Sequence, residues 1–78
     1  MGRVRRSPRL QELLVSRREA AGLMQMEVAP RLRRPQSFVS KYETGEQWLE
    51  VVELIEVAEA VGFNALPLLA ELIDMQGA

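Results

Sequence analysis

Apolar residues recur along most of this chain at intervals of three and four, and proline or glycine stands where the pattern lapses. That is the period of amphipathic helices, and no stretch alternates as a half-buried strand would. Leu10, Leu13, Leu14 and Ala21 share one helical face. Ser7 offers that helix an N-cap, Pro8 sits in the first turn where its missing N–H costs nothing, and Gly22 supplies the stop. A second helix is expected over Gln25–Leu32, burying Val28, Ala29 and Leu32, although Pro30 inside it removes a backbone hydrogen bond. A third begins near Pro35 or Gln36, runs to Tyr42 or Glu43, and closes at Gly45 in a left-handed conformation. A fourth, over residues 49–61, carries Val52, Ile55 and Ala58 with Glu50, Glu53, Glu56 and Glu59 on its other side, and ends at Gly62. Asn64 can cap a fifth, which holds Leu66, Leu69, Leu72 and Ile73 and tolerates Pro67 in its first turn. The pattern predicts an all-α, compact five-helix domain over residues 8–76, with residues 1–7 as a flexible basic arm.

With 78 residues, 47% of them apolar, the chain can build one small core worth only a few kcal/mol of net stability, so pairing with a second copy would help it. Cysteine is absent, which excludes a disulfide scaffold, a thiolate metal site and a cysteine nucleophile. Histidine is absent too, and with it the commonest general base and metal ligand near neutral pH. Only carboxylates remain as catalytic candidates, in no paired constellation, so the reading is a protein that is not an enzyme and takes no cofactor or metal. No apolar run approaches the roughly 20 residues of a membrane span, and the basic start is not followed by the hydrophobic segment of a secretory signal. The expected location is cytoplasmic. Charge distribution changes the picture more than composition does. Residues 1–41 hold all ten basic side chains and three acidic ones, whereas residues 42–78 hold eight acidic and no basic ones, giving +7 and −8 under a net charge of −1. If the fold keeps the halves apart, one side faces an anion and the back is acidic; otherwise two solvated surfaces merely differ in sign.

From Arg18 the chain continues through Ala21-Gly22-Leu23-Met24-Gln25, Val28-Ala29 and Leu32 to Pro35-Gln36-Ser37-Phe38-Val39-Ser40-Lys41-Tyr42-Glu43-Thr44-Gly45-Glu46. This text resembles the Cro/repressor-like helix-turn-helix family, often called the XRE family, and the likeness extends weakly over about residues 10–73. The resemblance implies a repressor-like fold whose second and third helices form a DNA-reading pair, and a function of sequence-specific DNA binding in transcriptional repression or regulation. The spacing agrees with it. Ala29 is small where two helices must cross, Val39 lies on the inner side, and Phe38 and Tyr42 share a face. Gln36, Ser37, Ser40 and Lys41 are left to face solvent or a ligand.

Glutamine matches adenine bidentately in the major groove and lysine reaches guanine or a phosphate, so Gln36, Ser37 and Lys41 are the candidate base contacts. The plainer alternative is that Gln36 and Ser37 only favour a helix start. Phosphate contacts are expected from Ser40, Thr44 and Arg34, and from Gln25, which looks like the family's phosphate-clamping glutamine. Arg5 and Arg6, with Arg3 and Arg9, would lie along the DNA backbone or in a minor groove, and Arg31 and Arg33 flank the turn. The resemblance pairs Arg18 with Glu43 as a buried structural ion pair. Trp48 reads as a partly buried anchor, and Leu68, Leu72 and Met75 as a face for a symmetric partner, making the protein a homodimer on double-stranded DNA. Four features depart from the family pattern. Met24 replaces a capping serine or threonine, which forfeits about 1 kcal/mol; Pro30 disturbs the second helix; Arg33 stands at a turn glycine; and Glu46-Gln47 replaces a more basic segment. Those departures favour a rival reading: an antitoxin-like interaction module that kept the fold and binds a protein partner through acidic helices four and five.

Overall fold

The computed structural model describes the backbone of residues 3–4 and 8–77 and the side chains of residues 9–73. Arg5, Arg6 and the side chain of Met75 therefore lie outside the described residues. Five helices appear in the expected order: α1 (Pro8–Ala20), α2 (Gln25–Leu32), α3 (Gln36–Thr44), α4 (Val51–Val61) and α5 (Ala65–Gly77). The fold is all-α. One element had no signature in the periodicity: β1 (Arg3–Val4) pairs antiparallel with β2 (Leu49–Glu50), setting Arg3 opposite Glu50 and Val4 opposite Leu49. Two residues a side are too few to show an alternation, and β2 occupies what the pattern assigned to the start of the fourth helix. Leu49 itself is buried, so the pair is anchored in the core.

α2 packs on α3 and α4, while α1 crosses α3 and α5. Leu10, Leu13 and Leu14 of α1 meet Val28 and Ala29 of α2 and Phe38, Val39 and Tyr42 of α3 in one cluster, closed from the other side by Leu54, Val57 and Val61 of α4 and Leu68 and Leu72 of α5. Two faces differ from expectation. α4 buries Leu54, Val57, Ala58 and Val61, and turns Val52 and Ile55 outward. In α5, Leu68 is fully buried and Leu72 nearly so, which takes both out of the proposed partner face. Leu66 and Ile73 are the exposed apolar residues there, at 71% and 66%. The correction has a simple cause: α5 is apolar around most of its circumference, so spacing alone does not choose the inner side.

Local chemistry explains how α2 survives its odd sequence. Met24 provides no side-chain cap, but the Glu27 carboxylate accepts the Met24 N–H at 2.8 Å, which is half of a capping box. Pro30 strips the Met26 carbonyl of its usual partner, and the helix still continues to Leu32. Arg33 then ends it with φ 57° and ψ 40°, while the Arg33 and Arg34 N–H groups donate to Pro30 O and Ala29 O, both at 3.1 Å. Gly45 ends α3 at φ 87° and packs on the Gln11 side chain, where a Cβ would collide. The Asn64 side chain accepts the Leu66 N–H at 3.0 Å, capping α5 as its sequence position suggests.

Candidate nucleic-acid interface

α3 owes its orientation to four inward side chains. Phe38, Val39, Tyr42 and Glu43 are buried, and Phe38 and Tyr42 meet edge to face with ring centroids 5.5 Å apart. Gln36, Ser37, Lys41 and Thr44 are consequently exposed together on the outer side, with Ser40 half-buried beside them. Pro35 occupies the N-cap position without a side-chain hydrogen bond, so the first turn of α3 keeps backbone N–H groups and the positive end of its dipole at the surface. The arrangement offers one glutamine, two serines, a lysine, a threonine and a helix N-terminus to one ligand surface.

Behind this face lies an ionic knot. Arg18 Nε donates to Glu43 Oε2 at 2.8 Å and its Nη2 to Oε1 at 3.1 Å, and Nη1 donates to the Leu23 carbonyl at 2.9 Å. Gln25 Nε2 adds a bond to Glu43 Oε1 at 2.9 Å. One buried carboxylate thus joins α1, the start of α2 and the end of α3. The hydrogen bond with Glu43 raises the Arg18 pKa, against the lowering effect of its burial. Tyr42 is raised as well, chiefly by burial and then by the negative charge of Glu43, with Arg18 opposing. The knot holds the angle between α2 and α3 rather than adding much net stability, since a buried ion pair offsets its own desolvation.

The remaining candidates sit less simply. Gln25 is half-buried and turned to Glu43, leaving its amide oxygen and second N–H for a ligand. The Thr44 hydroxyl donates back to the Lys41 carbonyl at 3.3 Å. Arg34 lies over the Phe38 ring, 4.6 Å from its centroid, with Nη2 3.4 Å from Glu53 Oε2. Arg9 does not extend into an arm: it sits in the first turn of α1 and reaches Glu71 of α5 at 2.7 Å. Arg31 is spent on the Ala60 carbonyl near the end of α4 at 2.9 Å. Trp48 is half exposed and lines a shallow cleft of about 480 Å³ with Glu46, Gln47, Glu50 and Glu53. Sequence reasoning missed the roles of Gln11, Glu53 and Glu71. The three-residue spacing from Glu50 to Glu53 is a capping-box signal, whereas nothing local announces Glu71. Among the described residues no helix is long and apolar enough to cross a membrane.

With this geometry in place, the comparisons with known proteins are consistent. A helix-turn-helix domain family matches residues 3–72. Among solved structures, an XRE-family like protein from Pseudomonas syringae pv. tomato str. DC3000 is 44% identical and superposes with a TM-score of 0.82, over 87% of this chain and 83% of that one. No curated protein matches.

Proposed function

Because the chain belongs to the XRE-like helix-turn-helix family, we propose that it reads specific double-stranded DNA sequences as a transcriptional regulator, with α3 in the major groove. The observation that carries this reading is the division of α3 into a locked inner face and an outer face of Gln36, Ser37, Ser40, Lys41 and Thr44. Gln36 and Ser37, in the first turn, meet base edges; Lys41 reaches a base or a phosphate one turn further on. Gln25, Ser40, Thr44 and Arg34 hold phosphates on either side, and Arg5 and Arg6 add contacts from the lead-in. The protein does no chemistry on its ligand.

Two measurements test the proposal. Selection from a random duplex pool should yield a sequence preference. Affinity for any duplex should fall steeply with salt, with a log–log slope near −0.9 for each phosphate neutralised. A second reading is favoured by one feature, the acid-lined cleft beside half-exposed Trp48, where a regulator would more usefully carry positive charge. In that reading the acidic side of the domain binds a protein partner instead. Absence of binding to every duplex at low salt would select it.

A further inference from the structure

Three Arg–Glu contacts join different elements among the described residues, and they are not alike. Arg9–Glu71 closes at 2.7 Å and Arg18–Glu43 at 2.8 Å, but Arg34–Glu53 stands at 3.4 Å, beyond the usual range of a tight charge-assisted bond. The loose pair is also the one whose arginine stands in the turn immediately before α3, at the edge of the face assigned to DNA. Its two members differ in freedom. Glu53 is pinned, because its Oε1 accepts the Glu50 N–H at 2.9 Å and so closes the first turn of α4. Among the described residues the Arg34 side chain is held only by the long contact to Oε2 and by stacking on Phe38, and it is 44% exposed. A guanidinium resting on a ring, with a carboxylate oxygen at its rim, is geometrically ready for bidentate capture by phosphate.

We propose that Glu53 is an internal stand-in for phosphate, which parks Arg34 against Phe38 until a DNA backbone phosphate displaces it. This rests on the DNA-binding reading above. Glu53 thereby lowers the affinity of the free protein for every duplex alike, without touching DNA itself. Exposed pairs of this kind contribute little, so the exchange is reversible and modest in size.

Glu53→Gln tests the idea cleanly, since glutamine also serves the third position of a capping box and the first turn of α4 is preserved. Its comparison is Glu56→Gln, which removes the same charge from the same helix at a residue with no ion pair among the described residues. Binding of the full chain to a random-sequence duplex is titrated at several salt concentrations, with thermal melts to establish that each variant is folded. Glu53→Gln should bind roughly two- to fivefold more tightly than wild type with an unchanged salt slope, the range expected for an exposed pair. Arg34→Ala should flatten the slope by about 0.9, and Glu53→Gln should add nothing in that background. If Glu56→Gln strengthens binding as much as Glu53→Gln, only net charge is at work and the proposal fails. It fails equally if Arg34→Ala leaves the slope unaltered. A wild type with no binding isotherm at low salt overturns the DNA reading itself, an outcome distinct from either of these.

Discussion

Arg33 and Gly45 end successive helices in the same left-handed region, one with a side chain and one without. An L-residue there suffers a clash of Cβ with the following carbonyl that glycine avoids. Arg33→Gly should therefore raise stability, by up to about 1 kcal/mol once the added backbone entropy of the unfolded chain is deducted. Gly45→Ala should do the reverse and cost about 1 to 2 kcal/mol, mostly through φ, since the Gln11 amide that a Cβ would strike is the movable end of a side chain. Urea denaturation of both variants decides this, and equal signs for the two would contradict it. Tyr42 governs the alkaline limit. Its folded-state pKa lies above the unfolded value near 10, so its contribution is complete below that value and is lost as pH rises toward the folded one. Stability should hold level from neutrality to about pH 10 and then fall by about 1.4 kcal/mol per pH unit, a fall that Tyr42→Phe abolishes. As the sole tyrosine, its phenolate absorbance reports it directly, and an ordinary titration in the folded protein would be the contrary result.

At the scale of elements, α3 was legible because its sequence is sharply divided: every inward position is apolar apart from Glu43, and every outward one is polar. The prediction for it is equally local. Gln36→Ala should cost about 1 to 3 kcal/mol on the selected duplex and much less on a scrambled one. Equal losses on both duplexes would remove Gln36 as a base reader while leaving DNA binding intact. α4 was less legible because Val52 and Ile55 are as apolar as Leu54 and Val57, and the glutamates are spread among them. Only packing selects which stripe goes inward. In α5 the same ambiguity put Leu68 on the wrong side. The β1–β2 pair and the Arg9–Glu71 contact escaped for a different reason, because each depends on chain segments far apart in sequence. The Arg18–Glu43 pair was foreseen only through family likeness, and the presence of Gln25 as its third member was not foreseen at all.

For the whole molecule, the opposition between a +7 and a −8 half is blunted by contacts that cross it. Arg9 reaches Glu71, Arg34 faces Glu53, and Arg18 is locked to Glu43. The field seen by DNA is thus weaker than the linear charge pattern suggests, and assembly could restore it. We expect a homodimer through Leu66 and Ile73, with recognition helices about 34 Å apart on successive major grooves. Sedimentation at micromolar concentration should show it, and Leu66→Glu with Ile73→Glu should leave a folded monomer. A wild type that stays monomeric with and without duplex removes this expectation. The shared carboxylate of Glu43 has a consequence on a longer timescale. Because Arg18, Gln25 and Glu43 meet at one buried group, losing Arg18 alone strands a charge at a cost of about 3 to 5 kcal/mol, whereas exchanging both ions for apolar residues need cost little. The single-step intermediates lie in a fitness valley between two tolerable genotypes. If α3 reads DNA as proposed, drift can recolour its outer face one codon at a time and so invent new sequence preferences, while the knot beneath it changes only by rare compensated double substitutions.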